Sequence, residues 1–495
     1  MSAPELSGLG SLRYLWRQLT SMRTALILLL LLGIAAIPGS LLPQRTQNPM
    51  KVREYFTNDP TLAQWLDRFK LFDVYGSPWF SAIYLLLFIS LIGCVLPRSW
   101  EHAKAIRAKP VLTPKNLDRM DFYRTIDTTS ALDSAEAWFK KNRFRIQRNA
   151  DSISAEKGYS RETGNVLFHL SLIVILIGIA LSSSLGMNGS AIVNVGERFI
   201  NTPTSYDNLT TGRFFSSESL QHFTITADKF VAQYNPITNA PEDYTLSTTI
   251  SKTVGGSSEK KVLKVNSPLT FGSTRVYLQA NGYSPIVTVT DQSGTVVFQG
   301  PVPFLPQDAN LTSTGAIKVP DAQPQIGFIG SFVPTIDRSS SRGAFSAFPE
   351  ALDPRLLVSV WEGDLQMDSG IPQSVYRLDT NKMARIGLKE MKLNETYSYG
   401  VGTITFNGFT PWVNLQIVRD PGKQYALIGS ILAILGLLTS LFTRQRRIWV
   451  KVGKKVEIAG LAKNAIDGLE SELNDLTDWI ERFNEKEIEQ ERRRK

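Results

Sequence analysis

The chain has 495 residues, a net charge of +9, three histidines and one cysteine, Cys94. A lone cysteine excludes an internal disulfide framework, a CxxC redox pair and a cysteine-based zinc site. The basic balance invites a nucleic-acid reading, which the placement of the charge removes. The apolar residues are concentrated in four uncharged runs, Ala25–Leu42, Phe80–Leu96, Val166–Leu185 and Tyr425–Phe442. Each holds about 17 to 20 residues, roughly what the hydrocarbon core of a bilayer requires. The tail before the first run carries +2, and the loops after the first, second and third carry +1, +5 and −1. The C-terminal tail carries +2. By the positive-inside rule, both termini and residues 98–164 are expected in the cytoplasm and residues 187–423 outside it. The charge reports topology in a lipid bilayer, with no nucleic-acid partner.

Residues 1–42 read as an interfacial helix followed by the first span. Leu12, Leu15, Trp16 and Leu19 recur at helical spacing between Arg13, Arg17 and Arg23. The run from Ala25 to Ile37 is short enough for a signal peptide, but no clear A-x-A site follows it. It is read as an uncleaved anchor. The outer loop 43–79 holds a surface helix capped by Asp59, with Pro60 in its first turn and Leu62, Trp65, Leu66 and Phe69 on one face. The second span occupies 80–97. Cys94 within it reads as small packing material.

Residues 98–164 read as a small α/β module. Ala131–Asn142 is expected as a helix with Ser130 as its cap, and Phe144–Gln147 and Ser152–Ala155 as strands. The third span, 165–186, carries His169 near its start. An ionisable side chain in lipid is a functional-site hypothesis, and imidazole is a common ligand of haem iron. Position alone leaves this open beside a histidine bonded to a neighbouring helix or lying at the membrane interface. At about 1.5 Å per residue, His169 is only about 5 Å into the span. His102 reads as part of a solvated basic face. His222 opens the next region, and the three histidines fall in different topological compartments.

Residues 187–423 are expected to be all-β, a sandwich or an open barrel, from many short strand-like runs separated by Gly, Pro and Asn. Asp291-Gln292-Ser293-Gly294 supplies a hairpin turn, and 338–354 reads as a long mobile loop. The fourth span is 424–443. The tail 444–495 opens with a basic stop, Arg444, Arg446 and Arg447. In it Ile466, Leu469, Leu473, Leu476, Ile480 and Phe483 form an a/d seam, which serves either packing on the cytoplasmic module or self-association. The fold class is thus an integral membrane protein of four helices with a large extracytoplasmic β-domain between the third and fourth.

No Walker loop, HExxH or GxSxG string is present. Several strings in order resemble another family. They are Leu19-Thr20-Ser21-Met22-Arg23-Thr24-Ala25, Ile37-Pro38-Gly39-Ser40-Leu41-Leu42-Pro43-Gln44, Asp73-Val74-Tyr75 and Trp79-Phe80. Cys94 with Arg98, Ala155-Glu156-Lys157-Gly158 and Phe168-His169-Leu170-Ser171 continue the series. Val265-Asn266-Ser267-Pro268-Leu269 with Gly272 and Tyr277, then Arg419-Asp420-Pro421-Gly422, complete it. Together with the topology they are similar to the ResB family of system II cytochrome c biogenesis proteins, from about residue 20 to residue 440. The resemblance implies that His169 is an axial ligand to haem b in transit, the only metal contact expected of this chain. It implies a second axial histidine on a membrane partner of the ResC/CcsA type, since no other histidine here lies in a span. It further implies apocytochrome c and the thiol-reducing proteins that act on it as partners. Thioether formation belongs, on this resemblance, to the partner with its Trp-rich loop, because Trp361-Glu362-Gly363-Asp364 reads as an ordinary strand end. The helix after about residue 455 falls outside the resemblance.

Overall fold

The computed structural model describes residues 8–45, 48–128, 131–253, 256–339, 343–367, 374–462 and 467–494. The chain divides into two compact units, one of Met1–Ile179 with Lys423–Lys495, the other of Ala180–Gly422.

In the first unit, α1 (Gly8–Leu19) ends at a break where the Ser21 hydroxyl caps α2 (Met22–Leu41). The loop between the first two apolar helices forms two helices where the sequence suggested one, α3 (Pro49–Asn58) and α4 (Pro60–Arg68). Asp59 caps the second as expected, accepting from the Leu62 N–H at 3.1 Å. Then α5 (Pro78–Arg107) runs past its apolar part into a basic end. With α7 (Ser160–Leu185) and α8 (Lys423–Phe442), α2 and α5 are the four helices long and apolar enough to cross a membrane. Their exposed Leu and Ile side chains are what a lipid-facing surface presents.

The α/β module is larger than its sequence suggested. β1 (Phe122–Ile126), β2 (Arg145–Arg148) and β3 (Ser152–Lys157) supply three strands, with α6 (Leu132–Lys141) between the first two. The proposed cap Ser130 lies outside the described residues. The two further strands come from beyond the fourth apolar helix, β22 (Arg446–Val452) and β23 (Val456–Ala462). All pairs are antiparallel, in the order β1-β23-β22-β3-β2. So the expected basic stop is a correction. Arg446 is buried beside Glu472, and Arg447 reaches the buried carboxylate of Glu156 at 3.0 Å. The alternation in Arg446–Val452 is a strand's, and Ile448 and Val450 point into the core. Leu469, Leu473, Leu476 and Ile480 of α9 (Asp467–Arg494) are fully buried in that same core. Packing on the module is therefore what the heptad seam does. Ile466 lies outside the described residues and Phe483 stays partly exposed.

In the second unit, the described strands pair antiparallel throughout. One sheet holds β4 (Met187–Asn194), β6 (Asn208–Thr211), β10 (Leu269–Phe271), β11 (Thr274–Asp291), β12 (Val296–Pro301), β20 (Thr396–Ser398) and β21 (Gly402–Arg419). A second holds β5 (Arg198–Ile200), β7 (Thr224–Tyr234), β8 (Pro241–Ser251) and β9 (Ser258–Lys264). A third holds β13 (Leu305–Pro306), β14 (Ser313–Val319), β15 (Ile326–Val333), β18 (Arg355–Gly363) and β19 (Met383–Lys392).

The long pair β11 and β21 crosses two cores. Val276, Leu278, Val413 and Leu415 pack with β7 and β8 in one, and Val287, Val289, Ile404 and Phe406 pack with β15 and β18 in the other. Register shifts after Leu278 and after Ile286 bend the ladder between the two sandwiches. At the bend the buried Trp412 donates its indole N–H to the carbonyls of Tyr283 and Phe304. The stretch 338–354 is not a mobile loop among the described residues. β16 (Ile336–Ser339) pairs with β17 (Gly343–Ser346), and buried Ser346 bonds to Thr335 and Phe348.

Candidate functional site

The strings quoted from the sequence meet one another. Gln44, buried after α2, donates to the Leu71 carbonyl at 3.1 Å and accepts from the Val74 N–H at 3.0 Å. It thereby locks the Leu42-Pro43-Gln44 turn to Asp73-Val74-Tyr75. Glu156, at the end of β3, is 2% exposed and gathers the Arg447 guanidinium, the Val111 N–H and the Tyr159 hydroxyl. A buried carboxylate is tolerated only with such donors. Gly158 then turns the chain into α7 with φ +89, where a Cβ would strike the Arg444 carbonyl. Arg419 donates to the Ser219 carbonyl and hydroxyl, while Asp420 takes the Gly422 N–H and the Ser182 hydroxyl. Ser182 lies in the last turns of α7, so Asp420 ties that end of the helix to the chain leaving β21.

Within the first unit, α7 and α8 touch at backbone distance. A Cβ on Gly436 would lie 2.7 Å from the Phe168 nitrogen, and one on Gly164 would lie 2.6 Å from the Gly436 carbonyl. Small residues permit such approach between apolar helices. On its other flank α7 is pinned to α5 twice. The Tyr84 hydroxyl donates to the Leu176 carbonyl at 2.8 Å, and His102 Nε2 lies 3.0 Å from the Thr163 hydroxyl. The helices are therefore antiparallel, and the Cys94–Arg98 segment of α5 lies level with His169.

His169 follows Phe168, whose backbone is packed on Gly436. Its imidazole is half-buried, and neither ring nitrogen makes a hydrogen bond among the described residues. Nδ1 is fully enclosed. Arg98 is the charged group within electrostatic range. A buried polar atom without a partner loses solvation and gains nothing in exchange. Such a nitrogen pair fits one axial position on a haem iron, and only one. Among the described residues no cluster of three His, Cys, Asp or Glu can hold a metal by itself.

The other histidines differ from the sequence reading in one respect. His102 is half-buried against α7, six residues or about 9 Å of helix rise from His169. It is not simply a solvated face, but its Nε2 is occupied by Thr163. His222 is exposed at the entry to β7 and joins no site. Cys94 donates its thiol to the Ser90 carbonyl at 3.0 Å, as packing cysteines in helices do. Sequence reasoning missed Glu156 and Arg447, because their pairing joins positions nearly three hundred residues apart.

The model of the ResB-like family matches residues 22–474. The chain belongs to the ResB-like family. Its match includes β22, β23 and the first part of α9, beyond the point where the quoted strings stop. Similar ResB-like relatives include the cytochrome c biogenesis protein CcsB of Synechococcus sp. strain CC9311, 26% identical over 481 residues. That alignment covers 94% of this chain and 97% of the relative. The proteins of the same name from Prochlorococcus marinus strain NATL1A and Picosynechococcus sp. strain PCC 7002 are 23% and 24% identical. They cover 94% and 95% of this chain, and 97% and 93% of their own lengths.

Proposed function

We propose that this chain acts in cytochrome c biogenesis as the membrane subunit that binds haem b through His169 and hands it on for attachment to apocytochrome c. The observation that carries this reading is the His169 imidazole, free of hydrogen bonds on both nitrogens among the described residues and set within an apolar helix. The names of the relatives supply the pathway. When bound, the haem supplies the vinyl groups to which apocytochrome thiols add. This chain's residues do the holding. His169 offers one imidazole, the α7–α8 contact fixes the turn that bears it, and the surrounding apolar side chains exclude water.

The second imidazole comes from a partner membrane subunit of the ResC/CcsA type, because His102 is engaged elsewhere. One cysteine cannot exchange dithiols, so reduction of the apocytochrome belongs to other proteins and attachment to the complex. The charge distribution supports placement in the cytoplasmic membrane, with both termini and the α/β module cytoplasmic and the second unit's sandwiches outside.

The test is His169→Ala in the chain copurified with its partner. Removing an imidazole lowers the cost of inserting α7, so the variant should reach the membrane at normal level. Its absorption spectrum should show most haem lost, cytochrome c should not assemble, and imidazole in the medium should restore part of the haem. His102→Ala and His222→Ala should keep it. Full haem and normal cytochrome c in His169→Ala would overturn the ligand assignment and leave a structural scaffold.

A further inference from the structure

Between the two sandwiches of the second unit lies an open trench of about 340 Å³. It touches Phe230, Val231 and Ala232 of β7 in succession. Successive side chains of a strand point to opposite faces, so a cavity that meets three in a row lies along the strand's edge. That edge is unpaired. β5 covers only Thr224–Thr226 of β7, and Ala227 exchanges backbone bonds with Gly196 and Glu197. From Asp228 to Gln233 the side away from β8 has no backbone partner among the described residues.

The walls are aromatic with one acid. Tyr234 stands on β7, and Tyr283 and Phe409 meet edge to face at 5.6 Å across the bend of the long ladder. The rim opposite is Glu350, Ala351 and Leu352. Glu350 is exposed and has no ion-pair partner among the described residues, and it follows Pro349, whose carbonyl accepts from the Tyr283 hydroxyl at 3.2 Å. An aromatic floor beneath a free carboxylate is a receptor for a lysine or arginine side chain. A free strand edge is a receptor for an extended backbone.

We propose that this trench docks an extended segment of unfolded apocytochrome c, which adds as a strand to the free edge of β7 and seats a basic side chain between the aromatic walls and Glu350. The inference rests on the function proposed above, which makes an unfolded polypeptide the substrate of the complex this chain belongs to. A second folded copy fits less well, because an edge strand that brings its own sheet does not enter a walled trench of this volume.

The experiment uses the full chain in detergent micelles and fluorescently labelled apocytochrome c with alkylated cysteines, so that anisotropy reads binding without attachment. Glu350→Lys and Leu352→Arg should each weaken binding about tenfold or more, with copurified haem and circular dichroism unchanged. An apocytochrome with its lysines changed to glutamate should regain affinity for Glu350→Lys. Folded holocytochrome c should not compete. Unchanged affinity in both variants, or equal binding of holocytochrome, would overturn the proposal. So would a chain whose dimers Glu350→Lys dissociates while apocytochrome binding persists. The two readings fail separately. Haem retained in His169→Ala sinks the haem-ligand role and leaves the anisotropy result standing, whereas wild type that carries haem but binds no apocytochrome sinks the trench alone.

Discussion

Leu473→Ala tests what the C-terminal helix is for. The side chain is fully buried, and its Cδ1 stands 3.0 Å from where a Cβ of Gly460 would be. Leucine-to-alanine changes in cores cost about 2–5 kcal/mol, more where the surroundings cannot collapse into the space. Here the facing residue on β23 is a glycine with no side chain to move in, which sets the expected cost near 4 kcal/mol on that scale. Amide hydrogen exchange of β22 and β23 in the full chain reads it, because local opening reports the stability of the unit that opens. Exchange should quicken by two to three decades, at about 1.4 kcal/mol for each tenfold. The pair of sites should also couple. Gly460→Ala alone crowds Leu469 and Leu473 and destabilises, whereas in the Leu473→Ala background it fills the gap and recovers part of the protection. Unchanged protection in Leu473→Ala, together with a shift in oligomeric state, would refute packing as the helix's role.

Gly436→Leu should force α7 and α8 apart at Phe168 and lower haem content with His169 intact, read from the absorption spectrum of the purified complex. Cys94→Ser should leave cytochrome c assembly nearly unchanged by haem staining, since the thiol only donates to a carbonyl of its own helix. In that cysteine-free background, Ile237→Cys, at a position 90% exposed, should react with a membrane-impermeant maleimide on intact cells. Labelling only after lysis would reverse the topology. Burial pushes Tyr283 and Tyr399 up to about 12, so above the ordinary tyrosine value the unfolded chain loses protons that the folded chain keeps. Stability of the sandwiches, followed by circular dichroism, should therefore fall between about pH 10 and 12, and less steeply in Tyr283→Phe.

The four apolar helices were legible because length and hydrophobicity alone specify them. Asp59 and the Asp291–Gly294 turn were legible because caps and turns are local. His169 stood out as an imidazole in an apolar run, though its lack of partners needed three helices in place. What the sequence hid is non-local. Arg446–Val452 looks like a basic stop after a span, and only Glu472 and Glu156 explain why Arg446 is buried and Arg447 is paired. The 338–354 stretch looks loose by composition, yet Ser346 is fixed by bonds to Thr335 and Phe348. The trench draws on three strands and a loop, and none of its residues forms a motif.

The strand pairings also set an order of manufacture. β4 finds its partner in β21, and β1 finds its partner in β23, across more than two hundred and three hundred residues respectively. Neither sheet closes until the ribosome has made its last strands, and chain synthesis is slow beside local folding. A nascent chain therefore carries open strand edges for most of its synthesis, which is when aggregation and proteolysis threaten it. A stop codon just after α8 would leave every apolar helix intact and still remove two of the three inner strands of the first unit's sheet. Truncation is expected to harm this protein from its far end, where the sequence looks most dispensable.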